Sequence, residues 1–170
     1  MGSLIMADGA SAAGWVDALI FLNALGCGLM AGLFFVFSNS AMTALSRLED
    51  GSGMNAMQAI NAAIVNPTFL LLFFGTACLS AVSAAAALLH WQQPGSVWML
   101  AGGLLYLAGG FGVTVICNVP LNNKLAAHRP DTAEGLDFWN QYSLVWTRWN
   151  HVRTFCSAAA LGCFVLAAAG

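Results

Sequence analysis

Four long apolar segments without any Asp, Glu, Lys or Arg constrain this chain more than any other feature. They cover about residues 18–37, 68–89, 97–117 and 155–169. A helix needs roughly 20 apolar residues to cross about 30 Å of hydrocarbon, so the fourth segment must include polar residues before it and is taken as 149–169. The sequence therefore predicts an all-α fold, a four-transmembrane-helix bundle that forms a single integral membrane domain over residues 1–170.

The composition supports a membrane protein and excludes several other classes. Hydrophobic residues make up 59% of the chain and charged residues only 7%, whereas soluble domains carry about 25% charged residues. The net charge is −2 and the five Lys and Arg are scattered, so there is no basic surface for nucleic acid. The five cysteines lie in apolar runs without paired spacing, which predicts no metal site. The expected surroundings are a lipid bilayer.

The distribution of basic residues predicts the orientation. Arg47 follows the first span, and Lys124, Arg129 and Arg148 lie between the third and the fourth. The turn at 90–96 has no Lys or Arg. Because positive charges favour the cytoplasmic side, we expect an integral protein of the bacterial inner (plasma) membrane, with both termini outside and the two longer loops in the cytoplasm.

The first of these loops contains a predicted amphipathic helix over residues 54–65. Met57, Ile60, Asn61 and Ile64 recur at helical spacing, which indicates a short helix on the membrane surface or against the bundle. Asn66-Pro67 then predicts an N-cap and a first helical residue, and Asn66 either serves only as this cap or also faces a site. Later in the chain, Pro120 is expected to bend or break the third helix.

Small residues mark two helices for close packing. Gly28 and Gly32 form a GxxxG pair, a spacing that lets helices approach closely in membranes. The third helix contains five more glycines at positions 102, 103, 109, 110 and 112. These glycines pack helices together inside the bundle or, alternatively, form a homo-oligomer through Gly28/Gly32 or through the third helix.

An aromatic and cationic face precedes the last apolar segment. At spacings of three and four residues, one helix face carries Trp139, Tyr142, Trp146, Trp149 and Arg153, with Asn150 beside them. The predicted topology brings this face to the same membrane side as the amide-rich ends of the other helices. Since an unpaired amide is costly in hydrocarbon, the sequence predicts a polar, Trp-lined pocket there, with Asn66, Asn118 and Asn122 as further substrate-binding residues.

The groups in this pocket favour a flat aromatic ligand with phenol or carbonyl oxygens. Tryptophans would stack on its rings, and Arg153 with asparagines such as Asn150 would stabilise an oxyanion. His151 is the candidate that can transfer a proton near neutral pH. On an ideal helix, however, His151 and Arg153 are about 160° apart, so an undistorted helix cannot direct both into one narrow site, and Arg153 with Asn150 is the preferred pair.

Several motifs resemble the anthrone oxygenase-like family of small four-helix membrane proteins. They are WTRWNHVRT at 146–154, the Asn66-Pro67-Thr-Phe69 element, NVPLNNKL at 118–125 and the GxxxG of the first helix. The resemblance implies oxidation of an anthrone to an anthraquinone with molecular oxygen, without a metal, flavin or other cofactor. It also implies site residues, among which His151 would be the base: Asn118, Asn122, Trp146, Trp149, Asn150, His151 and Arg153.

Two other functions remain open from the sequence. One is a redox membrane protein that binds haem or a quinone, with His151 and His128 as ligands. The other is a non-enzymatic membrane protein whose aromatic end binds a lipid or takes part in assembly with a partner helix.

Overall fold

The computed structural model describes the backbone from residue 2 onward and the side chains from residue 14 onward, and this part of the chain forms helices and no strands. Five helices are numbered here in chain order. Helix α1 comprises Gly2–Val36, a π-helical segment Phe37–Ala41 and Met42–Leu45; α2 is Ser52–Ala63; α3 is Pro67–Leu89; α4 is Ser96–Ala127; and α5 is Ala133–Ala169.

The predicted four-helix membrane bundle is confirmed. Helices α1, α3, α4 and α5 are each long and apolar enough to cross a membrane. All but α3 extend well beyond the predicted apolar segments, because helical hydrogen bonding continues into the polar residues that flank them. Helix α5 has 37 residues and is about 55 Å long, against about 30 Å of hydrocarbon. Its polar first half therefore lies toward one end of the bundle, together with residues 46–66 and 128–132, and we call this the loop end.

Glycines in α4 allow close packing on both neighbouring helices. A Cβ atom on Gly103 would lie 2.7 Å from the Ser80 carbonyl oxygen of α3, and one on Gly109 would overlap Cys156 of α5. By contrast, a Cβ on Gly32 would meet nothing within 4 Å, and one on Gly28 only Leu161 at ordinary contact distance. The GxxxG pair thus makes no close helix contact within the described chain, and oligomerisation through it stays a prediction.

We expect Gly103→Ala to lower the thermal unfolding midpoint in detergent. The added methyl group would press on a backbone oxygen, and overpacking of this kind typically costs about 1–3 kcal/mol. Gly162→Ala is the matched control, because its Cβ meets nothing within 4 Å and alanine has the better helix propensity. Equal midpoints for the two variants would contradict the close α3–α4 contact.

Asn23 carries a buried amide far from the loop end, and both of its polar atoms are hydrogen-bonded. Its Nδ2 donates to the Leu19 carbonyl and to Ser83 Oγ, both at 2.9 Å, while Ser80 Oγ donates to its Oδ1 at 3.0 Å. These bonds connect α1 to α3 and offset the cost of burying an amide. Asn23 therefore has a structural role.

The predicted amphipathic helix is present as α2 and lies against the bundle. Its buried Met54 and Met57 belong to an apolar cluster with Met42, Leu125 and Trp139. Gln58 Nε2 donates to the carbonyls of Leu125 and His128 at 2.8 and 3.0 Å, which fastens α2 to the end of α4. The predicted start of α3 is also confirmed: Asn66 Oδ1 accepts from Phe69 N at 3.0 Å, and Pro67 is the first helical residue.

Helix α4 is not broken at Pro120, because the chain stays helical through this proline to Ala127; the predicted bend stays a prediction. Two π-helical segments, Leu105–Gly112 and Thr114–Asn118, precede the proline. A π turn bonds i to i+5 and often marks a functional site within an α-helix. These wide turns directly before Pro120 place the amides of Asn118 and Asn122 on a helix that does not end there.

Candidate functional site

A cavity of about 540 Å³ lies at the loop end, where all five helices contribute to its wall. Helix α3 packs along the first part of α4, up to the first π-helical segment, and the two helices then diverge. Helix α2 covers the space between them. A volume of this size is in the roughly 300–1,000 Å³ range of small-molecule sites.

Apolar and aromatic side chains form most of the cavity wall. Phe73 stacks on Phe111 with ring centroids 5.0 Å apart, and Phe74 meets Phe111 edge to face at 5.6 Å. These rings close the cavity at the point where α3 and α4 diverge. Phe34 and Phe37 of α1 and Trp146 of α5 form the opposite side. Such a wall suits a flat aromatic molecule.

The guanidinium group of Arg153 lies in this wall and is buried. It is held between two rings, 4.3 Å from the Phe34 centroid and 4.9 Å from that of Trp146. Nη1 donates to Thr114 Oγ1 at 3.3 Å, and Nη2 donates to Asn150 Oδ1. Among the described residues, Arg153 forms no ion pair with a carboxylate, since the salt bridge found there joins Arg129 to Asp131. The cavity wall thus contains an uncompensated positive charge.

Asn150 connects this arginine to α1. Its Nδ2 donates to the Phe34 carbonyl and to Ser38 Oγ, both at 2.7 Å, while its Oδ1 accepts from Arg153. The Phe34 carbonyl lies one turn before the π-helical segment Phe37–Ala41. Asn150 therefore orients the guanidinium group, although it does not itself line the cavity.

Asn122 and Asn118 join α4 to the aromatic face of α5. Asn122 Oδ1 accepts from Tyr142 Oη at 2.9 Å and from Trp146 Nε1 at 2.8 Å. Asn118 Nδ2 donates to the Trp146 carbonyl at 3.2 Å. The amides around Pro120 therefore bond to another helix rather than to the backbone of their own.

The π-helical segments of α4 keep one line of residues facing α5 and the cavity. Tyr106, Gly110, Thr114 and Asn118 are buried, and Asn122 follows them in the cavity wall. These residues are all four apart, and in a regular α-helix each step of four drifts by about 40°, or about 160° in total. The wider π turns counter this drift. Without them Tyr106 and Asn122 would point to nearly opposite sides of α4.

Two buried N–H donors of the cavity wall have no hydrogen-bond partner among the described residues. They are Arg153 Nε and Asn61 Nδ2, which lie on α5 and α2 respectively. Leaving such donors unpaired is costly. A ligand with oxygen acceptors would satisfy them, and Arg153 would also balance a negative charge on that ligand.

Residues 69–163 match the family model for anthrone oxygenase, which is more than half of the 170-residue chain. The chain belongs to the anthrone oxygenase family. The matched region carries the α3, α4 and α5 walls of the cavity, including Phe73, Thr114 and Arg153. Neither the curated proteins nor the solved structures compared with the chain gave a significant match.

The structure separates the remaining predicted site residues of this anthrone oxygenase family member. Tyr142 and Trp139 are buried behind the cavity, where Tyr142 holds Asn122 and Trp139 packs on Tyr142 with centroids 5.7 Å apart. Trp149 does not lie on the predicted face, since 40% of its surface is exposed. Asn150 is buried in its place. Asn66 is exposed and acts as the α3 cap.

His151 lies on the opposite side of α5 from Arg153. It is exposed and borders a shallow outer groove with Ser38, Asn39 and Thr154. His90 and His128 are likewise absent from the cavity wall. A haem or a proton-transfer step inside this cavity would therefore have no histidine from the described residues.

The site also includes residues that sequence reasoning missed. Thr114 binds the arginine, Asn61 supplies an unpaired donor, and Phe34 and Phe37 form part of the wall. The sequence places Asn61 in the amphipathic helix but does not single it out as a substrate-binding residue. The two phenylalanines look like ordinary span residues, and Thr114 acquires its role through the π-helical segments.

Proposed function

We propose that this protein is a membrane-embedded, cofactor-independent oxygenase that acts on an anthrone-like or other phenolic aromatic substrate in the α1–α5 cavity, with the loop end in the cytoplasm. The observation that carries the proposal is Arg153, a buried cation in the wall of an aromatic cavity that has no carboxylate partner among the described residues. Membership of the anthrone oxygenase family supports the reaction class.

The cavity matches an anion that is delocalised over fused rings. The rings of Phe34, Phe73 and Trp146 provide apolar contact. Arg153 Nε and Asn61 Nδ2 provide donors for two oxygen atoms of the substrate. Donors that are fixed before the reaction, in a site with little water, stabilise developing negative charge strongly.

The reaction requires only the substrate, molecular oxygen and a proton acceptor. Loss of a proton from the CH₂ group of an anthrone gives an anion whose charge is shared between that carbon and the carbonyl oxygen. The carbon then forms a C–O bond with oxygen, which after protonation gives a hydroperoxide. Loss of the second C–H proton and of hydroxide breaks the O–O bond and leaves a carbonyl group. One oxygen atom enters the product and the other leaves as water, so no further reductant is needed.

The protein's part in this sequence is to stabilise the anion. The wall formed by the described residues has no Asp, Glu or His, so the first proton passes to water at the loop-end edge of the cavity, beside Asn123 and Ala126. Arg153 and Asn61 lower the free energy of the oxyanion. Asn150 and Thr114 act as positioning residues, because they hold the guanidinium group at the wall.

The proposal is tested by reconstituting the purified protein in lipid vesicles and supplying an anthrone with ¹⁸O₂. We expect formation of the anthraquinone above the rate in protein-free vesicles, with one ¹⁸O atom in the new carbonyl group and no loss of rate after treatment with a metal chelator. An unchanged rate relative to protein-free vesicles would contradict the function. A Soret absorption band in the purified protein would instead indicate haem chemistry.

A further inference from the structure

The cavity has an open side, and its position relative to the membrane can be read from the helices. The wall residues with large exposed fractions include Phe74 of α3 at 50%, Val115 of α4 at 46% and Val65 at 65%. Val119, Asn123 and Ala126 continue the same edge of α4 toward the loop end. We call this opening between α3 and α4 the mouth.

The deep part of the mouth lies within the membrane-spanning segments. Phe74 comes seven residues after Pro67, which is about 10 Å below the start of α3. Val115 comes 12 residues before Ala127, about 18 Å from the end of α4. The neighbouring exposed side chains at this level are Leu71 and Ile116, at 77% and 75%, as expected for helix faces in contact with lipid.

The cavity is apolar at the deep edge of the mouth and polar in its interior. The side chains at its deep edge, Phe74 and Val115, are apolar, whereas Arg153 and Thr114 are buried inside. A charged molecule would lose its hydration at such an edge without a compensating partner. An uncharged aromatic molecule dissolved in the bilayer would not meet this barrier, and it would reach the cation only after passing the mouth.

We propose that the mouth is a lateral portal through which neutral, membrane-dissolved aromatic substrate passes directly from the bilayer into the cavity, between Phe74 and Val115. This inference rests on the proposed function and specifies its substrate class as the uncharged form of a lipophilic phenolic compound, which ionises only beside Arg153. Molecular oxygen, which is also apolar, reaches the cavity by the same route.

The portal is tested by the kinetics of binding rather than by turnover. The probe is 1-hydroxyanthraquinone, a stable and fluorescent compound of the product class, mixed rapidly with protein in phosphatidylcholine vesicles. Val115→Trp places a large ring in the mouth, and we expect it to slow association at least about tenfold, which corresponds to about 1.4 kcal/mol of added barrier. The equilibrium Kd should change less, because a plug in the mouth slows dissociation as well.

Two matched variants locate the route. Ile116→Trp adds the same ring to the adjacent lipid-facing position, outside the cavity wall, and should alter the association rate less than about twofold. Asn123→Trp narrows the loop end of the same mouth. If Asn123→Trp slows association as much as Val115→Trp, or if Val115→Trp has no effect, access from the bilayer is contradicted. Because the readout is binding, failure of the anthrone assay leaves this test intact.

Discussion

Replacing Arg153 with methionine is expected to reduce kcat/KM for anthrone oxidation by about 10²–10³-fold, the usual cost of removing an oxyanion-stabilising donor. The effect should appear mainly in kcat, because the guanidinium group contributes most after the substrate has become an anion. Methionine keeps the unbranched apolar stem of the side chain and removes the guanidinium group. Turnover in vesicles measures the change directly.

Stability distinguishes a catalytic role of Arg153 from a structural one. Burial of the cation without a carboxylate partner costs free energy. Its hydrogen bonds and its contacts with Phe34 and Trp146 offset part of this cost. Because these effects oppose one another, we expect the unfolding midpoint of Arg153→Met to change little. Arg148→Met is the matched control: this arginine is exposed on the same helix and lies outside the cavity wall.

A comparison with His151→Ala decides between two catalytic groups. We expect Arg153→Met to lose at least about tenfold more activity than His151→Ala, since His151 borders the outer groove. Equal losses in the two variants would favour proton transfer by His151 and contradict the central role of the cavity arginine.

Replacing Asn150 with leucine is expected to destabilise the protein and to impair turnover together. The substitution leaves the Phe34 carbonyl and one arginine nitrogen without their partner, and unsatisfied buried groups cost about 1–3 kcal/mol each. Thermal unfolding in mild detergent measures this loss. Asn140→Leu, at an exposed position of the same helix, serves as the control and should change the midpoint little.

A double-mutant cycle with Arg153→Met tests the coupling between the two residues. If Asn150 acts through the arginine, Asn150→Leu should cost less stability and no further kcat in the Arg153→Met background. Additive losses would mean that Asn150 only fastens α5 to α1.

The fold was predictable because its determinants are local. Apolar length identifies a membrane helix without any knowledge of its neighbours, and the Asn66-Pro67 pair marks the start of α3 through the hydrogen bond that the Asn66 side chain accepts from the Phe69 N–H. The angle of about 160° around the helix axis between the side chains of His151 and Arg153 also follows from local helix geometry. The structure accordingly places the two side chains on opposite sides of α5.

The composition of the cavity was harder to predict because it depends on contacts between distant segments. The divergence of α3 and α4 and the position of α2 over the gap leave no mark in either helix alone. In α5 the structure buries Asn150 and not Trp149. The buried residues there are 146, 150, 153 and 157, a spacing of four, three and four that the alternating aromatic pattern did not indicate. Thr114 joins the site only because α4 is π-helical there.

The π-helical segments of α4 also set the phase of everything that follows them. A one-residue deletion between Leu105 and Asn118 would be absorbed as a π turn relaxed to an α turn. Deletion of one residue between Asn118 and Asn122, where the helix is regular, would instead turn Asn122 and each later side chain by about 100°. Asn122 would then leave Tyr142 and Trp146, although no residue of the cavity had been replaced. In this fold, a one-residue insertion or deletion in a span that still crosses the membrane is therefore enough to exchange one set of cavity side chains for another.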